Sequence, residues 1–178
     1  TPSSGTLTQV RAVGIGVHVL IRSRPGGFVY DDAELDVLAA DVAAAAAGGA
    51  AGVVIGALDS TGNVDVRGCR RLIEAARTAR QPLEITFHRA LDVVDDPVSA
   101  LSLLADLGVD RVLTSGGAAR AGDGLAQLAR LTGAGTGVEI MAGGGVRVED
   151  VPALIEVGVH AIHLSAKRLV PDPGATGP

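Results

Sequence analysis

The sequence contains almost no aromatic residues: two phenylalanines, one tyrosine and no tryptophan among 178 residues. Apolar residues nevertheless make up 47% of the chain, so its core must be built from alanine, valine, leucine and isoleucine. No apolar run approaches the roughly 20 residues that a membrane-spanning helix needs, which predicts no membrane partner. The net charge of −5 argues against a nucleic-acid partner, because such surfaces cluster positive charge.

Cysteine is also scarce. Cys69 is the only one, which excludes an internal disulfide or a multi-thiolate metal site within the chain and is typical of a reducing cytoplasm. The chain opens at Thr1 without the basic segment and apolar core of a signal peptide. We therefore expect a cytoplasmic protein. Cys69 lies within a predicted helix, so a packing role is expected for it rather than a reactive thiol.

Six short apolar segments alternate with helical stretches. The predicted strands are Val17–Arg22, Val53–Asp59, Glu84–Arg89, Arg111–Ser115, Val138–Gly143 and Ala161–Ser165. This alternation indicates a parallel α/β fold, although six units by themselves fit either a barrel or a doubly wound sheet. One domain is expected over residues 1–170, followed by a disordered tail at 171–178.

Capping signals bound the helices between these strands. Asp31 is expected to cap a helix over Asp32–Ala47, and Asp96 one that begins at Pro97. Further helices are predicted after Asp65, over Gly122–Leu131 and over Glu149–Val157. The opening segment, Thr1–Gly5, is predicted to be a loop.

Alternation along the strands separates an apolar set of side chains from a mixed one. Barrel strands place apolar side chains outward against helices and mixed ones inward, with polar groups at the carboxyl ends. The predicted inward set is His18, Leu20, Arg22, Ala57, Asp59, Thr86, His88, Leu113, Ser115, Met141, Gly143, His163 and Ser165. A polar site at the carboxyl ends of the strands is therefore expected.

His88 is the predicted acid or base of this site, because imidazole titrates near neutral pH. Asp59 or Asp92 could orient it. The alternatives are a neutral histidine bonded to a backbone carbonyl and carboxylates that serve as caps or arginine partners. Arg89 is expected to pair with a carboxylate.

Arg22 and Arg24 precede a glycine-rich loop and could bind a phosphate or carboxylate. Ion pairs with nearby aspartates, such as Asp31 or Asp59, are the alternative. Two further glycine-rich loops resemble the phosphate sites of (β/α)₈ enzymes. The anion ligands predicted there are Ser115, Gly116, Gly143, Gly144 and Ser165. The alternative is that these glycines only permit tight turns.

Other polar residues are expected to be structural. Glu84 and Glu139 lie at strand starts, level with Arg111, and are predicted to form ion pairs with it. His18, His160 and His163 are expected to be structural as well.

Several motifs resemble those of the CutC copper-homeostasis family, in order and over roughly Thr1 to Ala166. They are Thr1–Gly5, Ile21–Tyr30, Gly56–Asp65, Thr86–Asp92, Val112–Gly117 and Ile140–Val146. The resemblance implies a (β/α)₈ barrel, a cytoplasmic and commonly dimeric protein, and a role in copper homeostasis. In the family two strands and a helix precede the Thr-Pro-Ser segment, so about six of the eight strands are expected here.

Copper is thus the cofactor that the resemblance implies, and no other is predicted. Cu(I) favours thiolate and thioether ligands, and this chain offers only Cys69 and Met141, while His88 and His163 lack ligand spacing. The partner is therefore expected to be a copper ion or a small anionic ligand. The alternative function is a lyase or isomerase acting on a small phosphorylated or carboxylated substrate.

Overall fold

The computed structural model describes residues 1–165. Its strands are β1 (His18–Leu20), β2 (Gly52–Ile55), β3 (Glu84–Phe87), β4 (Arg111–Thr114), β5 (Glu139–Gly143) and β6 (Ala161–His163). Its helices are α1 (Ser4–Arg11), α2 (Asp32–Ala47), α3 (Val66–Arg77), α4 (Pro97–Leu107), α5 (Leu125–Thr132) and α6 (Val151–Glu156). Short 3₁₀ helices cover Arg89–Val93, Ala121–Asp123 and Val148–Asp150. The predicted tail and the predicted domain end at 170 lie outside the described residues.

The six strands form one parallel sheet in the order β1-β2-β3-β4-β5-β6. Helices alternate with the strands, and the sheet curves as an incomplete (β/α)₈ barrel, which confirms the predicted fold class. All of these strands except β5 end earlier than predicted. The polar residues at the predicted strand ends therefore lie in the loops just beyond the carboxyl ends.

Strand register places the core on the outer, helix-facing side of the sheet. Val19 pairs with Val53, and Val53 with Ile85, and all three are buried. The inner row at this level runs from Leu20 through Val54 to Thr86.

The predicted alternation was wrong in β2. Val54 faces inward beside Leu20 and Thr86, so Gly52 and Gly56 lie on the inner side rather than Ala57 and Asp59. The strand ends at Ile55, and the chain then turns, with an antiparallel bridge between Leu58 and Val64. A count made backwards from Asp59 therefore crosses a turn and loses the register.

Helix starts follow the predicted caps. The Asp31 side chain accepts from the Glu34 N–H while the Glu34 carboxylate accepts from the Asp31 N–H, a reciprocal capping box. Asp65 caps α3, and Asp96 caps α4 with Pro97 in the first turn. None of the helices within residues 1–165 is long and apolar enough to cross a membrane.

The loop predicted for Thr1–Gly5 was wrong. The Ser3 side chain accepts from the Thr6 N–H and caps α1, which begins at Ser4. Helix α1 buries only Leu7, so its sequence lacks the apolar periodicity that marks the other helices. The polar composition of this segment therefore did not indicate a helix.

Candidate functional site at the carboxyl ends of the strands

His88 follows β3 directly and is 5% exposed. Its Nδ1 accepts a hydrogen bond from the Ala90 N–H at 3.2 Å, which caps the 3₁₀ helix Arg89–Val93. The ring centroid lies 4.9 Å from that of Phe28 and 5.8 Å from that of Phe87. His88 is thus fixed by the backbone on one side and by aromatic rings on the other.

Burial lowers the pKa of His88 to about 4, and the positive charge of Arg22 adds to this shift. The ring is therefore neutral at pH 7. The expected partner carboxylates are engaged elsewhere, and within the described residues no carboxylate contacts the His88 ring. The predicted Asp–His pair does not form in this structure.

Asp59 belongs to its own turn. One carboxylate oxygen accepts from the Thr61 N–H at 2.8 Å and from the Asn63 N–H at 3.1 Å. The hydrogen bond from the Thr61 hydroxyl is the main reason that the pKa of Asp59 is lowered. The carboxylate thus stabilises its own turn, which differs from the cap and arginine-partner roles that the sequence left open as alternatives.

Asp92 joins the end of β3 to the loop after β4. Its carboxylate, 7% exposed, accepts from the Arg89 Nε at 2.6 Å. It also accepts from the Ser115 N–H at 3.0 Å, the Gly117 N–H at 3.3 Å and the Thr114 hydroxyl. The predicted pairing of Arg89 with a carboxylate is confirmed.

The Ser115–Gly117 loop therefore holds an internal anion. The Ser115 and Gly117 N–H groups donate to Asp92, and the Gly116 N–H donates to the Thr114 Oγ1 at 2.9 Å. The Ser115 hydroxyl donates to the Ala118 carbonyl at 2.6 Å. An external anion would have to compete with Asp92 for this loop, and the ligand role of Ser115 and Gly116 stays a prediction.

Arg24 is committed to the protein itself. Its guanidinium pairs with Glu34, donates to the Gly27 and Val29 carbonyls, and stacks on the Tyr30 ring at 4.8 Å. The expected alternative named nearby aspartates, whereas the observed partner is Glu34.

Arg22 is less completely engaged. Its Nε donates to the Arg24 carbonyl at 3.1 Å, its Nη2 donates to the Gly26 carbonyl, and its Cζ lies 4.8 Å from the Phe28 ring centroid. Because Phe28 also contacts His88, Arg22, Phe28 and His88 form one group, which we call the His88 cluster.

A second group surrounds the Gly143–Val146 loop. Gly144 and Gly145 have φ of 108° and 60°, values that favour glycine. A Cβ on Gly144 would lie 3.0 Å from the Arg89 Cζ, so the guanidinium packs against this backbone. Arg120 donates to the Gly145 carbonyl and pairs with Asp150. The loop is thus lined by two guanidinium groups.

The predicted site residues separate into these groups and some outliers. Gly143 packs against Leu113 and His163, since a Cβ there would lie 2.5 Å from the Leu113 Cδ1. Ser165 is exposed beyond β6. Phe28 and Thr114 were not predicted as site residues. The sequence indicated them only by position, because Phe28 lies in the loop after Arg24 and Thr114 directly precedes Ser115.

The expected ion pairs lie on the inner face of the sheet, at the amino ends of the strands. Arg111 bonds the Glu139 carboxylate at 2.6 Å and the Glu84 carboxylate at 3.3 Å, and His18 contacts Glu84 at 3.1 Å. His160 accepts from the Ile140 N–H. These structural predictions are confirmed.

Cys69 is fully buried, and burial raises its pKa to about 12. Within residues 1–165, no three His, Cys, Asp or Glu side chains are grouped so that they could hold a metal ion. A packing role for Cys69 is thereby supported, and the described residues do not form a thiolate metal site.

Fold and site together define the class: an incomplete (β/α)₈ barrel with its polar residues at the carboxyl ends of the strands. The structure of a candidate deoxyribose-phosphate aldolase from Coccidioides immitis shares this fold, with a TM-score of 0.67, 17% identity, and coverage of 89% of this chain and 66% of that chain. At this identity the likeness shows the fold alone.

The family is shown by sequence. The CutC family profile matches residues 1–168, and the chain belongs to the CutC family. It is 43% identical over 174 residues to a CutC family protein of Yersinia enterocolitica, which covers 96% of this chain and 67% of the relative. The structure of a candidate copper homeostasis protein CutC from Streptococcus agalactiae matches with a TM-score of 0.84, 30% identity, and coverage of 92% of this chain and 80% of that chain.

The chain spans about two thirds of the length of the curated relatives that it matches.

Proposed function

We propose that this chain serves copper homeostasis in the cytoplasm. The supporting observation is its likeness to the Streptococcus agalactiae protein, which is described as a candidate for that role and shares the fold at a TM-score of 0.84. The family match over residues 1–168 supports the same role.

The donors available for copper restrict how this role can operate. Cu(I) prefers thiolate and thioether ligands, and imidazole also binds copper. The Cys69 thiol is buried and protonated, so it does not fit a thiolate site. Met141 and His163 face inward on neighbouring strands and are offset diagonally, because Met141 pairs with Ala161 and Gly143 with His163. This thioether and this imidazole are the donors that we propose for copper.

An anaerobic Cu(I) titration against a competing chelator tests this role. We expect stoichiometric binding that Cys69→Ser leaves unchanged and Met141→Leu weakens about tenfold, since leucine keeps the volume but removes the sulfur. Loss of binding in Cys69→Ser would contradict this ligand assignment, and no binding by the wild-type chain would contradict direct copper handling.

A second candidate function is supported by the Gly143–Val146 loop. The N–H groups of Gly144, Gly145 and Val146 make no hydrogen bond to any residue in the described range. Gly144 lies beside the Arg89 guanidinium, and Gly145 lies beside the Arg120 side chain. Successive free N–H groups next to an arginine favour a phosphate or carboxylate, as a lyase or isomerase with a small anionic substrate requires.

This second function would be limited in its chemistry. The single lysine of the sequence, Lys167, lies outside the described residues, so residues 1–165 supply no amine for a Schiff base. The Arg24–Glu34 pair and the Asp92 network also reduce the number of groups free to bind substrate.

Phosphate titration followed by amide NMR tests the anion site. We expect the Gly144, Gly145 and Val146 resonances to shift, and Arg89→Lys to weaken binding about tenfold because the planar fork is lost. Arg67→Ala, which removes an exposed guanidinium paired with Asp32, is the matched control. Unmoved loop resonances, or equal weakening by both variants, would contradict the proposal.

We also propose that the chain forms a homo-oligomer, most simply a dimer. Among the described strands, β1 and β6 end the sheet, and the inward Leu20 on β1 is 44% exposed. Exposed strand edges and apolar side chains favour association with another copy.

A further inference from the structure

His88 has one ring nitrogen without a hydrogen-bond partner among residues 1–165. Nδ1 accepts from the Ala90 N–H, and since a backbone N–H can only donate, the proton of the neutral ring is on Nε2. Nε2 is buried and makes no hydrogen bond to any residue from 1 to 165. The ring therefore presents a buried Nε2–H donor without an acceptor.

The inner sheet surface makes room for this ring. A Cβ on Gly56 would lie 2.4 Å from the His88 Cε1 and 3.0 Å from Nε2, so the ring lies directly over the β2 backbone. On β3, two residues before His88, the Thr86 Oγ1 is also buried and has no hydrogen-bond partner among the described residues. Two unpaired polar atoms thus lie on one inward face of β3.

Phe28 and Arg22 are the other two members of the His88 cluster. The Phe28 ring contacts the His88 ring, and the Arg22 Cζ lies 4.8 Å from the Phe28 ring centroid. The Arg22 Nη1 makes no hydrogen bond to a residue in the described range, whereas Nε and Nη2 bind carbonyls of its own loop. A guanidinium fixed by two carbonyls with one nitrogen left over can still bind an anion.

This arrangement does not suit a general base. No carboxylate among residues 1–165 contacts the ring, and the neighbouring charge is positive, so a proton taken up at His88 would have no stabilising partner. A buried neutral imidazole instead polarises or recognises an oxygen acceptor through its N–H.

We propose that His88 recognises a carbonyl or hydroxyl oxygen of a small carboxylate or phosphate by donating from Nε2–H, while Arg22 binds the anionic group. This inference goes beyond the second proposed function: it places an anion at Arg22 rather than at the Gly143–Val146 loop, and the ligand must carry an oxygen acceptor next to its anionic group. Because Nε2 is buried, a ligand could reach it only if side chains around the ring moved, and Phe28 is one that contacts the ring.

Histidine-selective ¹⁵N NMR on the wild-type chain is the first test. We expect the resonances of an Nε2–H tautomer for His88 that persist to below pH 5. An Nδ1–H tautomer, or protonation near pH 6.5, would overturn the proposal. This measurement needs no variant and no ligand.

Ligand probes provide the second test. Pyruvate and glycerol 3-phosphate carry the additional oxygen, whereas propionate and inorganic phosphate do not provide it in the same position. We expect the first pair to shift the His88 Nε2–H resonance and to bind about tenfold more tightly than the second pair, as one recognised polar group allows. His88→Gln, which keeps an N–H donor, should retain that preference, and His88→Leu should lose it.

The outcomes separate this proposal from the second proposed function. Phosphate that shifts the Gly144–Val146 amides while all four probes leave His88 unmoved would support the anion-binding function and overturn the role of His88. A long-lived water detected at Nε2–H that no probe displaces would also overturn it. A response at His88 without any at Gly144–Val146 would sustain the His88 proposal and contradict the loop as the anion site.

Discussion

At the scale of single residues, Asp92 accepts hydrogen bonds from several groups at the carboxyl ends of β3 and β4. It accepts from Arg89, Ser115, Gly117 and the Thr114 hydroxyl. Arg89 lies just after β3, whereas the other three donors lie at the end of β4 or in the loop that follows it. A single buried carboxylate therefore holds the loops after β3 and β4 together.

Asp92→Asn should destabilise the fold by about 2–4 kcal/mol, because an amide N–H₂ would replace one acceptor oxygen among buried donors and leave Arg89 unpaired. Urea unfolding measures this. Asp106→Asn, the same change at an exposed position on α4, is the control and should have little effect. Equal effects of the two substitutions would contradict the bracing role of Asp92.

The buried His88 ring should make stability depend on pH. Burial, supported by the charge of Arg22, lowers its pKa to about 4 from an unfolded value of 6.5. Between these values the unfolded chain binds a proton that the folded chain does not, so the free energy of unfolding should fall as the pH drops from about 6.5 to 4, by about 3 kcal/mol in total.

Comparing the pH dependence of unfolding in wild type and His88→Leu isolates this contribution, since the other groups titrate in both proteins. The variant should lose the dependence between pH 6.5 and 4 that His88 adds. Parallel curves for the two proteins would show that the ring titrates normally.

At the scale of elements, local signals predicted the helices with cap residues well. Asp31, Asp65 and Asp96 act at short range, so the sequence contains all that their helices need to begin. The helix at Ser4–Arg11 was missed because it buries only Leu7. The end of β2 was overestimated because Asp59 continues the sequence pattern, although its N–H donates to Asn63 in the turn that follows the strand.

The location of the candidate site could be predicted from the sequence, but the hydrogen-bond and ion-pair partners within it could not. Parallel strands must bring their carboxyl ends to one edge of the sheet, which located Arg22, His88 and Ser115. Which carboxylate meets which donor depends on loop geometry across distant units. The Asp92–Ser115 contact, 23 residues apart, has no local signal, and neither does the Arg24–Glu34 pair.

The inner side of β2 provides a test of element packing. Gly56→Ala should destabilise the fold by about 1–3 kcal/mol, because the added methyl would overlap the His88 ring. Gly27→Ala is a matched control, since a Cβ there would meet no atom within 4 Å. Thermal unfolding compares the two, and a tolerated Gly56→Ala would show that the ring does not lie over β2.

At the scale of the whole molecule, the sheet leaves two strand edges and part of its inner face exposed. Leu20 is the inward apolar side chain on the β1 edge and is 44% exposed. This exposure is the physical basis of the proposed self-association, and it lies on the opposite side of the sheet from the packed helices.

Leu20→Lys should weaken self-association about tenfold or more, because a charge would be placed in an apolar contact. Light scattering over a range of concentrations measures this. Val37→Lys, on α2 and 51% exposed, should leave the oligomeric state unchanged. If only the Val37 variant changed the oligomeric state, the interface would lie on the helical surface instead of at β1.

The order β1-β2-β3-β4-β5-β6 means that every strand bonds only to its predecessor and successor along the chain. Local opening can therefore start at an outer unit without disturbing a unit three places away, as in linear repeat arrays. Amide hydrogen exchange should consequently be graded across the sheet, slowest in β3 and β4 and fastest in β6, whose residues are already partly or fully exposed.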